Sequence, residues 1–352
     1  MTRRFNRRDV LKGSSAMALT VYATPIRAQA PAADTITPAL IEAAKKEGRV
    51  VYYTAIDLVV AERIAKAFEA KFGVPVRVER TGAERVFQRI GQEYTSKIHS
   101  VDVVNSSDAA HFIVWKRQGI LAPHVPEDVA KHYAAEHRDA DGMHANFRAG
   151  MSVIGYNTNM VKAEEAPKSF ADLLDAKWTG KMVKAHPSYS GNVMTATFQI
   201  TRDLGWDYLE KLARQKVMQV QSSTDPPKKL ALGERAVMVD GNEYNALQLK
   251  EKGDPIEIVY PTEGTPMAVG PNAIFKAAPN PNAARLFNNW CFTAECQQLI
   301  INVGSLRSLH PQAKEKPAWR SLKDIKVMKD DAAGVEKSAA DIKARYSKIF
   351  GV

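Results

Sequence analysis

Four polar loops, each directly after a predicted β-strand, hold the side chains that could bind a small ligand. Hydroxyls beside free helix N–H groups suit an anion, whereas carboxylates and phenols suit a hard cation or an amine. Ligands of open parallel sheets bind beyond the carboxyl ends of the strands, so we expect these loops to face one site. The candidate ligand-binding residues are Thr54 and Asp57 after the first strand, Ser106, Ser107 and Asp108 after the third, then Ser188, Tyr189 and Ser190, and finally Glu243 and Tyr244.

Each candidate also has a purely structural interpretation. Asp57, Asp108 and Ser190 stand where a side chain could cap the helix that follows. Tyr244 could be a core residue of its own helix. Arg80, after the second strand, is either part of a solvated turn or a cation at the edge of the site, and we favour the turn.

The elements that position these loops alternate between strand and helix. A β-rich run at 49–54 precedes Val60, Ile64 and Phe68, whose spacing is that of an amphipathic helix ended by Gly73. This alternation predicts parallel sheets with crossover helices. Further strands are predicted at 74–79, 101–104, 151–156, 181–184, 236–239 and 271–275.

One such α/β unit is interrupted by another, with crossings near 145–150 and 255–265. The sequence therefore predicts an α/β fold of two lobes, each a mostly parallel sheet flanked by helices, with a ligand cleft between them. The 352 residues are enough for two cores. The predicted domains are a signal peptide at 1–30, lobe 1 at 31–147 and 262–352, and lobe 2 at 148–261.

The first 30 residues resemble an export signal. Arg7 and Arg8 precede a short, weakly apolar run at 16–23 and the small residues Ala28 and Ala30. This order is typical of a twin-arginine signal peptide, cut after Ala30, and predicts a periplasmic protein. No stretch of the chain is long and apolar enough to predict a transmembrane helix.

The charge balance is explained in part by this signal. The chain has 49 Lys and Arg against 39 Asp and Glu, a net charge of +10. Without residues 1–30, 43 basic and 38 acidic side chains remain, a net charge of +5. Because these basic residues are scattered, we predict no nucleic-acid partner.

Sequence motifs of exported enzymes are absent. The chain contains no Gly-x-Ser-x-Gly and no His-Glu-x-x-His pattern, so we predict neither catalysis nor a cofactor. Its two cysteines, Cys291 and Cys296, are five residues apart. They could form a disulfide only if the helix breaks between them, and we favour two buried thiols.

Seven stretches of the chain, taken in order, are similar to those of one known family. They lie at 51–55, 73–76, 102–108, 155–158, 167–174, 177–181 and 281–287. Over about residues 47–311 the chain resembles the periplasmic solute-binding proteins of ABC importers, specifically the group that includes the ferric-ion binders. The resemblance implies a type II periplasmic-binding-protein fold that closes by a hinge, a monomer, delivery of a solute to permease subunits in the inner membrane, and no catalysis.

The resemblance also implies a ligand set, and the chain departs from it. Ferric members use paired tyrosines in the fourth loop, where this chain has Glu243 and Tyr244. Asp57, Asp108 and Tyr189 could complete an oxygen set for Fe³⁺. We favour ferric iron, carried as the transported ligand, while a small phosphate- or carboxylate-bearing solute and an amine stay open as alternatives. Sequence alone does not separate a transport subunit from a sensor subunit.

Overall fold

The computed structural model describes residues 30–352, which form eleven β-strands and twelve α-helices. The predicted signal peptide lies outside this range, apart from Ala30. The strands are β1 (Val50–Thr54), β2 (Val76–Arg80), β3 (Val103–Asn105), β4 (Leu121–Ala122), β5 (Ala145–Asn157), β6 (Met182–Ala185), β7 (Met218–Val220), β8 (Val237–Asn242), β9 (Ile256–Val259), β10 (Met267–Phe275) and β11 (Arg307–Ser308). The helices are α1 (Pro38–Glu47), α2 (Leu58–Phe72), α3 (Ala83–Thr95), α4 (Ala109–Arg117), α5 (Glu127–His132), α6 (Gly191–Leu204), α7 (Trp206–Ala213), α8 (Asp225–Ala231), α9 (Glu243–Glu251), α10 (Pro281–Cys291), α11 (Ala294–Gly304) and α12 (Ala332–Phe350).

The main strands follow one another in the order β2-β1-β3-β10-β5-β8-β6-β7. Parallel pairs stand at both ends, with β1 between β2 and β3, and β6 between β7 and β8. The long strand β5 joins them, because it pairs with β10 up to Met151 and with β8 from Ser152 onward. We call the part from β2 to Met151 of β5 the first half, and the part from Ser152 to β7 the second half.

Each half has its own apolar core, as the sequence periodicity predicts. In the first half, α2 begins at its N-cap Asp57 and ends at Gly73, whose φ of 70° favours glycine. Its buried Phe68 packs 5.0 Å from the Phe287 ring and 5.6 Å from the Trp290 ring. The second half has a separate core that includes Phe170, Tyr208, Leu209 and Val237.

The C-terminal helix α12 packs against α4 of the first half and α6 and α7 of the second. Its Tyr346 is buried in the core of the second half, although we assigned residues 262–352 to lobe 1 as one unit. On the other side, Lys343 forms an ion pair with Glu84 of α3 at 2.6 Å. The predicted lobe boundaries stay a prediction, but α12 connects both halves.

Two details of the described chain refine the sequence interpretation. The strand predicted at 151–156 is the end of the longer β5, which begins at Ala145. Cys291 ends α10 and Cys296 lies in α11, and both are free, buried thiols.

Within residues 30–352, no helix is long and apolar enough to cross a membrane.

Buried histidines make the fold sensitive to acid, and His144 is the clearest case. Burial lowers the pKa of His144 to about 4, and its Nδ1 has no hydrogen-bond partner among the described residues. The unfolded chain takes up this proton near pH 6.5, so between pH 6.5 and 4 the unfolded state binds more protons than the folded state. The free energy of unfolding should therefore fall by about 3 kcal/mol over this interval because of His144 alone.

Urea denaturation at pH 7, 6 and 5 tests this prediction. His144→Gln should flatten the dependence of the free energy of unfolding on pH, whatever its stability at pH 7. The exposed His99 provides the control, and His99→Gln should leave the slope unchanged. An unaltered slope in the His144 variant would contradict the assignment.

Candidate functional site

A polar cavity lies between the two halves, beyond the carboxyl ends of their parallel strands. Its free volume in this structure is about 20 Å³, roughly the space of a single water molecule. All six parallel strands contribute, since loops after β1, β2 and β3 face loops after β6, β7 and β8. The lining residues are Ala55, Arg80, Gly82, Ala83, Ser107 and Arg148 of the first half, and Tyr189, Ser190, Asn192, Ser222, Ser223, Thr224, Asn242 and Tyr244 of the second.

The central feature of the cavity is the buried guanidinium of Arg148, on β5. The side chain is 2 % exposed, and among residues 30–352 neither its Nε nor its Nη1 has a hydrogen-bond partner. Burial lowers the pKa of the Arg148 guanidinium, yet arginine remains charged in proteins. None of the described residues that line the cavity carries a carboxylate. A cation is thus buried beside polar space with no counter-ion.

A second buried arginine shows the usual arrangement. Arg307, on β11, is 1 % exposed, and its Nη2 donates to Oε1 of Glu243 at 2.8 Å while its Nε donates to Oε2 at 3.2 Å. Its Nη1 donates to Glu315. These carboxylates raise the pKa of Arg307, despite burial that acts to lower it. Charge compensation is therefore available in this fold, and Arg148 does not receive it from the protein.

Three helices begin at the cavity without a side-chain cap: α3, α6 and α9. Their N-cap residues Gly82, Ser190 and Asn242 all line the cavity. The short α8 begins there too, but Pro226 and Pro227 in its first turn have no N–H to offer. The first N–H groups of a helix have no acceptor within the helix and carry the positive end of its dipole. Together with Arg148, these groups make the cavity a set of hydrogen-bond donors suited to an anion.

Amides and hydroxyls cover the wall formed by the second half. Nδ2 of Asn192 donates to Oδ1 of Asn242 at 3.2 Å, and Nδ2 of Asn242 donates to Oγ of Ser223 at 3.4 Å. The Ser222 and Thr224 hydroxyls are 3.0 Å apart. This wall offers neutral polar groups to the uncharged part of a solute.

The two halves touch at the rim of the cavity, where α6 begins. A Cβ on Gly191 would lie 2.6 Å from Cβ of Asp108 and 2.8 Å from the carbonyl carbon of Ser107, in the first half. Real Cβ atoms do not approach so closely, so only glycine permits this contact. The structure is therefore a closed arrangement of the halves around the cavity.

Four of the predicted ligand-binding residues line this cavity: Ser107, Tyr189, Ser190 and Tyr244. Sequence reasoning missed Arg148, Asn192 and the hydroxyls at 222–224, and it assigned Arg80 to a turn. Arg80 is instead the last residue of β2, and it lines the cavity. Its Nε donates to the Ile56 carbonyl at 3.2 Å.

Three other predicted residues lie outside the cavity wall, and two of them bind the local backbone after β1. Oγ1 of Thr54 accepts from the Ile56 N–H at 3.1 Å, and Oδ1 of Asp57 accepts from the Val59 N–H at 3.1 Å, which caps α2. Ser188 is half-buried outside the cavity wall. The capping interpretation of Asp57 is the one that the structure supports.

The remaining three predicted residues are also held by the protein. Oγ of Ser106 lies 3.0 Å from Nδ1 of His111. Asp108 caps α4 by accepting from the Ala110 N–H at 2.9 Å. Glu243 pairs with Arg307, as described above. None of the three lines the cavity.

The oxygen set expected for iron is consequently not assembled. The carboxylates of Asp57, Asp108 and Glu243 have other partners, which leaves the phenols of Tyr189 and Tyr244. The Tyr244 hydroxyl accepts a hydrogen bond from the Asp57 N–H at 3.3 Å. Burial raises the pKa of Tyr244, which opposes the phenolate form that a ferric ion needs.

Two groups of histidine and acidic residues lie outside the cavity wall. The first consists of Glu84, Asp108 and His111. The Lys343 ammonium lies 2.6 Å from Glu84, so this carboxylate is paired with a protein cation and needs no metal ion.

The second group consists of Asp128, His132 and His310. Nδ1 of His310 accepts from the Gln312 N–H at 3.2 Å, so in the neutral ring the proton is on Nε2. Nε2, which faces Asp128 at 3.5 Å, then has no lone pair for a metal.

Residues 63–327 match the family described as bacterial extracellular solute-binding protein. The chain belongs to this family. The match covers most of the described chain and includes every cavity residue except Ala55. Family membership agrees with a closed cleft of hydrogen-bonding groups in which a solute is bound.

Known members of the fold bind different ligands. The periplasmic binding protein AfuA from Actinobacillus pleuropneumoniae, with exogenous fructose-6-phosphate bound, superposes with a TM-score of 0.79 and 24% identity, over 87% of this chain and 99% of that chain. Iron-bound HitA from Pseudomonas aeruginosa gives 0.74 and 22%, over 86% and 99%. Iron uptake protein A1 from Synechocystis is 24% identical over 288 residues, 77% of each chain. The resemblance to extracellular solute-binding proteins and the type II periplasmic-binding-protein fold are both confirmed.

Contact between the halves at Gly191 should be necessary for tight binding. Gly191→Ala should weaken solute binding at least about tenfold, because the new methyl group holds Asp108 and α6 apart. Small-angle scattering of the liganded variant should show a more open molecule. The control is Gly91→Ala on α3, where a Cβ has no neighbour within 4 Å; if it weakens binding equally, the closure argument fails.

Proposed function

We propose that this extracellular solute-binding protein is the substrate-binding component of an ABC importer and captures a small organic anion, phosphoryl- or carboxyl-bearing, in the cavity. The observation that carries the proposal is the buried, unpaired guanidinium of Arg148. Its positive charge requires a partner, and the described chain supplies none at this position. A bound anion would complete the charge pair and accept the free N–H groups of α6 and its neighbours.

Ferric iron is the competing ligand, supported by the names of HitA and the Synechocystis relative. A trivalent cation next to Arg148 and Arg80 would be repelled, and the cavity has no carboxylate to offset that charge. A protonated amine is also a cation, so the same two arginines would repel it. The chemistry of the cavity therefore favours an anion over both alternatives.

The transport role extends from this site. A ligand held by Arg148 on one side and by α6 on the other would favour the closed arrangement, because it binds both halves at once. We propose that the closed monomer acts in the periplasm, without catalysis, and delivers its solute to permease subunits of the inner membrane. A signalling receptor as the partner remains the alternative for the same closed form.

A thermal-shift panel tests the ligand class. Fructose 6-phosphate, glycerol 3-phosphate, inorganic phosphate and ferric citrate are each added to the purified protein. Binding at one hundred times Kd stabilises the folded state by about 2.7 kcal/mol, so a phosphate ester should raise Tm by several degrees. A shift with iron alone, together with a visible charge-transfer band that Tyr244→Phe removes, would overturn the proposal.

Replacing Arg148 should separate stability from binding. Arg148→Met removes a buried charge without a partner, so the unliganded variant should gain on the order of 1 kcal/mol and its Tm should rise by about 1–2 °C. The same variant should lose the anion-induced Tm shift completely. Retention of that shift would show that Arg148 is not the anion-binding group.

Arg307→Met is the matched control for this substitution. The change is chemically identical, at a site equally buried, but it leaves the Glu243 carboxylate without its cation. The variant should lose about 3–5 kcal/mol of stability. If both variants change Tm in the same direction, the contrast between paired and unpaired arginine is wrong.

A further inference from the structure

Asn192, on the first turn of α6, carries an acceptor that the protein leaves unused. The side chain is buried, at 2 % exposure. Its Nδ2 donates to Oδ1 of Asn242, whose own Nδ2 donates to Oγ of Ser223. Oδ1 of Asn192 consequently has no hydrogen-bond partner within residues 30–352.

This acceptor lies next to the guanidinium of Arg148, across Gly150. A Cβ on Gly150 would be 3.2 Å from Nη1 of Arg148, and 3.2 Å from Oδ1 and 3.0 Å from Nδ2 of Asn192. The two side chains thus lie around one point, one from each half of the protein. A side chain on residue 150 would fill the space between them.

Two buried groups with opposite requirements meet at this point. Arg148 offers N–H groups and requires an acceptor with negative charge, whereas Oδ1 of Asn192 requires a donor. No hydrogen bond joins the two side chains in the described structure, so a fully deprotonated anion that takes the Arg148 N–H groups leaves Oδ1 of Asn192 unpaired, which is costly in a buried site. An ammonium group would satisfy Asn192 but would be repelled by Arg148. A hydroxyl is a donor without charge and satisfies both conditions.

We propose that Asn192 is a specificity-determining residue, which selects anions that carry a hydroxyl group close to the charged group. This inference rests on the proposed function, because it assumes that an anion pairs with Arg148. It narrows the solute class to hydroxylated organic anions. Simple anions and esters of plain alcohols are disfavoured.

Titration calorimetry with two matched esters tests the proposal. Glycerol 3-phosphate and propyl phosphate have the same anionic group and chain length, and only the former has hydroxyls. The wild-type protein should bind glycerol 3-phosphate at least about tenfold more tightly, since sites built to bind a hydroxyl reject analogues that lack it. In Asn192→Leu this ratio should fall close to one, mainly through weaker binding of glycerol 3-phosphate.

A second variant separates the lost acceptor from a folding defect. Asn192→Asp retains an acceptor oxygen, so it should keep the preference for the hydroxylated ester while its carboxylate weakens both esters. Equal affinity of the wild-type protein for both esters, or an unchanged ratio in Asn192→Leu, would overturn the role of Asn192 and leave the anion proposal intact. Failure of both esters to bind would overturn the anion proposal, and the role of Asn192 with it.

Discussion

The buried positive charge of Arg148 is the constraint on which the site depends. Moving a charged group out of water costs several kcal/mol unless a counter-charge replaces the lost hydration. In the described chain that counter-charge is missing, although the fold supplies two carboxylates to Arg307. The folded protein therefore holds a cation whose requirements only a ligand can meet, and the stability that it forgoes is available for binding.

The acidic residues around the cavity pair with other parts of the protein. The electrostatic potential of the cavity therefore stays positive. Asp108 caps α4, Glu243 pairs with Arg307, and Glu84 receives Lys343 from α12. The last two pairs also connect elements of the first and second halves, so the carboxylates stabilise the closed arrangement instead of contacting solute. The proposed selectivity for anions thus rests on two features: the carboxylates are bound by other parts of the protein, and the Arg148 guanidinium is not.

The sequence predicted the location of the site better than its chemistry. Because ligands bind beyond the carboxyl ends of parallel strands, the loops at 106–108, 188–190 and 242–244 were recognisable from strand–helix alternation alone. The same reasoning could not decide whether Asp57 and Asp108 cap a helix or bind a ligand, because both roles place a carboxylate at the start of a helix. The pattern also could not reveal Arg148, because a buried arginine without a partner has the same sequence signature as a solvated one. Its strand was predicted to begin at 151, and the pairing of β5 with β10 and β11 is what places residue 148 within the sheet.

A crystal structure of the protein with fructose 6-phosphate tests the central claim most directly. The account predicts the anionic group within about 3 Å of Nε or Nη1 of Arg148, with the N–H groups of α6 as further donors. A structure in which the ester is absent and a metal ion is held by Tyr189 and Tyr244, with Arg148 still unpaired, would contradict it.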